Sequence, residues 1–266
     1  MKIIDAHLHF CVTEQYFFDI AKKAGHENSA EHLLSEYKRL NIVAGVVMGN
    51  REDMDYPSPL LYCVGVERFE EFKADKENHL KHIEKHFQNA NCVGVKLYPG
   101  YDAFYVYDDA LSSLYELCLR YKKPIAVHTG LTASANALLK YSHPLVIDEA
   151  ATKFPQNNFV ICHLGEPWFI DAIAVMMKNP NVAADLSGML EGKIADYDEF
   201  LDVEKYFIDE LYGRLRAFNG YNRLMFGTDW PLANLEDYIF FTKKIIPKDY
   251  WNLVFFDNAN RIYNLL

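Results

Sequence analysis

Lys2-Ile3-Ile4-Asp5-Ala6-His7-Leu8-His9-Phe10 begins apolar and then sets three polar residues at steps of two. Side chains of a strand alternate between faces, so Asp5, His7 and His9 are expected on one side, with Ile4, Ala6, Leu8 and Phe10 on the other. Two neutral imidazoles held by one rigid strand are half of a tetrahedral site for a borderline transition ion. A pair of satisfied core histidines is the plainer alternative, and the place of His-x-His at the end of an apolar strand favours a metal.

Outward from this stretch the chain repeats one unit. Asn28 or Ser29 can cap a helix through about Leu40, with Leu33, Leu34, Tyr37 and Leu40 as its apolar stripe. Residues 11–28 before it form a partly helical excursion over the barrel mouth. Short, almost continuously apolar runs follow at 41–49, 61–66, 92–99, 124–130, 159–165, 182–188 and 223–231, as expected of strands covered on both faces. Helices are expected between them: one from about 70 to 89, one carrying Tyr107, Leu111, Leu114 and Cys118, helical content up to Phe154, one at 168–178, and a long one marked by Phe200, Val203, Phe207, Leu211 and Leu215. Two more close the chain. The proline-broken stretch 50–59 is too short for a full helix, so one barrel helix is missing there. His82 and His86 stand four apart but lie among Lys and Glu on a solvated face, and carry no assignment.

Eight strands alternating with helices, with no linker or composition shift, predict a distorted (β/α)8 TIM barrel, an α/β fold with an extra C-terminal helix, as one domain over 1–266. A doubly wound open sheet is the competitor. The polar residues separate the two: His7 and His9, Lys96, His128, His163, Asp185 and Asp229 end six different strands. A closed barrel brings such ends to one mouth, where the chemistry of this fold sits.

The composition excludes several functions. Lys+Arg 27 against Asp+Glu 37, a net charge of −10, argues against nucleic acid and against docking on an anionic membrane. Five scattered cysteines without a C-x-x-C read as reduced thiols in a cytoplasmic protein. The chain starts directly in a strand, without a leader, and no apolar run is long enough to span a bilayer. The partner expected is a small-molecule substrate, while surface aromatics such as Tyr238, Phe240 and Phe241 suit either a homodimer contact or a completed core.

Asp5-Ala6-His7-Leu8-His9, Gly94-Val95-Lys96-Leu97-Tyr98-Pro99, Val127-His128, Cys162-His163-Leu164-Gly165, Phe226-Gly227-Thr228-Asp229-Trp230-Pro231 and Asn258-Ala259-Asn260-Arg261 occur in an order that resembles the amidohydrolase superfamily. The resemblance is to its amidohydrolase-related branch, which includes relatives of aminocarboxymuconate semialdehyde decarboxylase. It implies a metal-dependent hydrolase or lyase with His7, His9, His128 and Asp229 as ligands. In the one-metal variant, favoured here, His163 is the acid/base that orients the metal-bound water, and Lys96 meets a substrate anion or pairs with Asp185 or Asp229. In the two-metal variant a carboxylated Lys96 bridges the ions, and His128 with His163 holds the second.

Such a ligand set suits Zn2+ first, with Mn2+ or Fe2+ as alternatives. It lowers the pKa of bound water to about 7 and polarises a carbonyl. Asp229 can then accept the water's proton and His163 can donate to the developing oxyanion. The reading is a hydrolase acting on an amide, ester or lactone, with a non-oxidative decarboxylase of small unsaturated or aromatic acids as runner-up. A catalytically silent binding barrel is the third. Tyr98, Tyr101, Phe104 and Tyr105 are expected around the mouth, and Arg51 could meet a substrate carboxylate.

Overall fold

The computed structural model describes residues 1–49 and 54–265. Its strands are β1 (Ile3–Leu8), β2 (Ile42–Met48), β3 (Leu60–Val66), β4 (Cys92–Leu97), β5 (Ile125–Val127), β6 (Phe159–Ile161), β7 (Val182–Asp185) and β8 (Leu224–Met225). They pair in parallel and in chain order from β1 to β8. Closure falls to the segment after β8. The Ala6 amide donates to the Phe226 carbonyl at 2.9 Å, those of Thr228 and Asp229 to His7 at 3.1 and 2.8 Å, and that of His9 to Trp230 at 2.7 Å. The result is the TIM barrel that the spacing of apolar runs predicts.

The helices are α1 (Gln15–Lys23), α2 (Ala30–Leu40), α3 (Phe69–Ala74), α4 (Lys76–Phe87), α5 (Ser112–Tyr121), α6 (Leu145–Lys153), α7 (Phe169–Lys178), α8 (Tyr197–Val203), α9 (Lys205–Phe218), α10 (Leu235–Ile245) and α11 (Asn258–Tyr263). Ser29 caps α2 by accepting from the His32 amide at 3.2 Å, and Asn41 ends it in the left-handed region. Two expected single helices are each divided in two. Asp75 (φ −133°, ψ 54°) separates α3 from α4, and Glu204 (φ −88°, ψ 10°) separates α8 from α9. The described residues between β2 and β3 hold no helix, as the prolines require. Among the described residues no helix is long and apolar enough to cross a membrane.

Small and medium side chains fill the barrel. Ile4, Ala6, Ala44, Val46, Met48, Cys63, Ala126, Val160, Cys162, Ala183 and Met225 form one interior cluster, joined by Ala259 and Tyr263 of α11. The opposite strand faces, among them Val47, Val95, Leu97, Ile125, Val127, Phe159 and Ile161, pack in the larger layer under the helices.

The first strand departs from simple alternation. Ile4 and Ala6 face the interior, whereas Leu8 and Phe10 belong to the outer layer. The pairing of β1 with β2 breaks register between Asp5 and Leu8, and this break flips the parity. Asp5 therefore does not share a face with His7 and His9. Its carboxylate lies on the helix side, accepting from the Tyr37 hydroxyl at 3.1 Å, the Thr228 hydroxyl at 2.6 Å and the Thr228 amide at 2.9 Å.

The C-terminal segment is tied to the barrel by a buried amide. Asn258 Nδ2 donates to the carbonyls of Tyr221 and Leu224, both at 2.7 Å. Asn258→Ala would leave both acceptors without this donor and is expected to cost about 2 kcal/mol. Urea unfolding checks this, the midpoint falling while the denaturant slope stays constant.

Candidate metal centre

His7 and His9 leave the end of β1, and Asp229 leaves the segment that closes the barrel against it. His7 Nε2 lies 3.5 Å and His9 Nε2 3.3 Å from Asp229 Oδ1. Ligands at zinc distances of roughly 2.0–2.1 Å on a tetrahedron stand about 3.3–3.4 Å apart. His7 Nε2 and Asp229 Oδ1 are buried and have no hydrogen-bond partner. Two buried polar atoms without partners would be costly unless something else satisfies them. The donor set fits a divalent cation.

A carboxylate behind His7 fixes which nitrogen faces that position. The His7 Nδ1–H donates to Asp185 Oδ2 at 2.9 Å, leaving the Nε2 lone pair to point at Asp229. Burial, with Lys96 adding to it, pushes His7 down to about 3 against the pull of Asp185, so the imidazole is neutral at physiological pH. Asp229 is buried as well, which alone would raise its pKa. His163, His9 and His7 outweigh that and hold it far below the usual carboxylate range. A second grouping, His7, His163 and Asp185, is also compact. There His7 Nδ1 already bonds Asp185 and His163 Nδ1 bonds Ser187, so the first grouping is the better cation site.

His163 is set by a relay. Ser187 Oγ donates to Asp185 Oδ1 at 2.5 Å, which commits its single proton. The 2.8 Å contact between Ser187 Oγ and His163 Nδ1 must then be donated by the imidazole. His163 consequently carries its proton on Nδ1 and offers a lone pair at Nε2. Burial lowers its pKa, which favours the neutral imidazole over the imidazolium. His163 (φ 60°) and Asp229 (φ 58°) are both in the left-handed region, a conformation that clusters at functional sites. Gly188 makes room for this: a Cβ there would stand 2.6 Å from His163 Nδ1.

The remaining predicted residues are placed as follows. His128 lines the same cavity, its ring 5.1 Å from that of His163. Its Nε2 donates to the Leu131 carbonyl at 3.0 Å, and it stands outside the cluster of His7, His9 and Asp229. Lys96 is fully buried, with Nζ 2.9 Å from Cys162 Sγ. It is not among the residues lining the cavity, and no ion pair joins it to Asp185 or Asp229. Tyr98 does line the cavity, and its hydroxyl is committed to the Met48 carbonyl at 3.0 Å. Arg51 lies outside the described residues. Sequence reasoning missed the roles of Asp185, Ser187 and Gly188, although a polar Asp-Leu-Ser-Gly run at a strand end was the available signal.

The cavity over the cluster measures about 530 Å³ and adjoins a smaller compartment of about 270 Å³. Tyr16 and Phe17 of α1 and Tyr98 and Tyr101 after β4 supply its aromatic walls. Phe104 and Tyr105, expected there, are packed elsewhere: Phe104 stacks on Phe69 at 4.3 Å, and Tyr105 lies against Tyr107 and Tyr141.

Comparison with known proteins gives the same outline. A probable 2-pyrone-4,6-dicarboxylic acid hydrolase from Acinetobacter baumannii, solved with citric acid bound, is 16% identical, with a TM-score of 0.66 over 99% of this chain and 100% of its own. An amidohydrolase from Burkholderia multivorans with bound zinc is 16% identical, with a TM-score of 0.70 over the whole of both chains. The 2,6-dihydroxybenzoate decarboxylase from Rhizobium is 13% identical, with a TM-score of 0.70 over 100% of this chain and 99% of its own. At these identities the likeness is one of fold. No curated protein matches the sequence. The amidohydrolase family model matches residues 72–265, which take in Lys96, His128, His163 and Asp229 and begin after His7 and His9. That match covers most of the barrel, and the chain belongs to the amidohydrolase family.

Proposed function

We propose that the protein is a metal-dependent hydrolase that adds water to an amide, ester or lactone carbonyl of a small molecule. The observation that carries this reading is the pair of buried, unpartnered atoms His7 Nε2 and Asp229 Oδ1, 3.5 Å apart beneath the cavity that Asp229 and His9 line. His7, His9 and Asp229 would hold one divalent ion, with His128 as fourth ligand once it exchanges its bond to Leu131. Zinc is the first choice for such a set, with manganese or iron next, and the zinc held by the Burkholderia relative supports it. The seating of Lys96 against Cys162 supports one ion rather than a lysine-bridged pair. When bound, the ion supplies Lewis acidity, lowering the pKa of water to about 7 and polarising a carbonyl.

The chain's own groups do the proton work. Asp229 stays ionised through the physiological range and accepts a proton at its carboxylate. His163 presents Nε2 as a second acceptor, oriented through Ser187 and Asp185. Asp185 is a positioning residue, because it fixes His7 through Nδ1 and His163 through Ser187.

Zinc content is expected at about one ion per chain, falling to background in His7→Ala and unchanged in Lys96→Ala. Two ions, reduced by Lys96→Ala, would replace this reading with the bridged one. Asp185→Asn should weaken zinc binding by about 10–100-fold, measured by competition with a chromogenic chelator. Turnover on a panel of aryl esters and lactones should fall by about a thousandfold in Asp229→Asn with the fold intact. A panel of aromatic acids that released carbon dioxide instead would establish the decarboxylase reading.

A further inference from the structure

Among the described residues, acidic side chains outnumber basic ones around the mouth of the barrel. Glu14, Glu67 and Asp102 line the larger compartment, and Glu166 and Glu191 line the smaller. Against these five carboxylates the described lining offers one arginine or lysine, Arg68. Its guanidinium is 74% exposed and turns to Glu71 at 3.5 Å.

Glu67 is the centre of the larger group. Burial, then Asp102 and Glu14, push its carboxyl above the usual range, while Arg68 opposes this. Asp102 is held in place, since its Oδ2 accepts from the Phe69 amide at 3.1 Å. Aromatic faces stand beside these acids: Tyr16, Phe17 and Tyr101 line the same compartment, and the Tyr101 hydroxyl accepts from the Ala133 amide at 2.8 Å, which fixes that ring. The same cavity is bordered by Asp229, whose buried Oδ1 lacks a partner, so the acidic rim and the proposed reaction centre share one ligand space. Carboxylates interleaved with aromatic faces form an environment for an organic cation, which gains from both the charges and the ring quadrupoles.

We infer that the substrate carries a protonated amine or similar organic cation on the part that extends from the reacting carbonyl toward Glu67 and Asp102, and that dicarboxylic and aromatic acids are repelled. The inference rests on the metal-dependent hydrolase reading and names the substrate class for that site.

Three hydroxamates test it on the zinc-loaded protein by titration calorimetry: benzohydroxamate, 4-(aminomethyl)benzohydroxamate and 4-carboxybenzohydroxamate. All three carry the same metal-binding group and differ in the charge at the far end. The aminomethyl probe is expected to bind at least about tenfold tighter than the carboxy probe, with the neutral probe between them. Raising salt from about 0.05 M to about 0.5 M should narrow that ratio. Glu67→Gln, alone and combined with Asp102→Asn, should narrow it too, with benzohydroxamate as the internal reference in each protein. A carboxy probe that binds as tightly as the aminomethyl one, while benzohydroxamate binds, overturns the inference and leaves the metal centre standing. A ratio unchanged in the double variant also overturns it. Failure of all three probes overturns the metal-centre reading and the inference with it.

Discussion

The carboxylate of Asp185 holds three strand ends in one arrangement. One oxygen takes the His7 Nδ1 proton from β1, and the other accepts from the His163 amide at 3.0 Å, the Ser187 amide at 3.2 Å and the Ser187 hydroxyl. A carboxylate fully out of water is costly unless its lone pairs are satisfied. Here they are, and the donors it collects are those that decide how two histidines present their lone pairs. Burial works against its ionisation, yet His7 and its neighbours hold Asp185 well below the usual carboxylate range. The same negative charge orders the site and finds its own compensation there.

Asp5, two residues before His7 and just as buried, shows the opposite balance. Its partners are hydroxyls and amides, with no imidazole donor, and burial dominates, raising it to about 7. It links β1 to α2 through Tyr37 and to the closing segment through Thr228. Two buried carboxylates thus serve different ends: Asp5 on β1 joins the closing segment to the helix layer, and Asp185 at the end of β7 arranges the mouth. The register break in β1 makes this division available, because it lets one short strand send Asp5 outward while His7 and His9 stay at the opening.

The fold was legible because its signal is redundant: eight apolar runs at regular spacing, each ending in a polar or turn residue, leave few architectures open. Convergence of His7, His9 and Asp229 followed from that closure. What escaped was set by local geometry that no single strand announces. The parity of Asp5 depends on a bulge against β2. The seat of Lys96 depends on which interior neighbour its amine meets, and that is Cys162 rather than an acid. The role of Ser187 comes from its single proton going to Asp185 while its oxygen meets His163, a contact that exists only once β6 and β7 lie side by side. Division of the two long helices at Asp75 and Glu204 follows from backbone torsions that apolar periodicity does not encode.

Chemistry and selectivity sit on different parts of the chain. The atoms to which we assign proton handling and metal binding come from strand ends and the closing segment, fixed by backbone hydrogen bonds, with His163 and Asp229 in the left-handed region. The charge and aromatic character of the mouth come from connections: residues 14–17 before and in α1, 67–68 after β3, and 98–102 after β4. Loops can change composition without disturbing the ladder that holds the reacting groups. One barrel can therefore keep a constant reaction centre while its rim is rewritten for ligands of different charge. On this chain the described rim is acidic, and on the reading proposed here it would favour neutral and cationic carbonyl compounds over an aromatic acid.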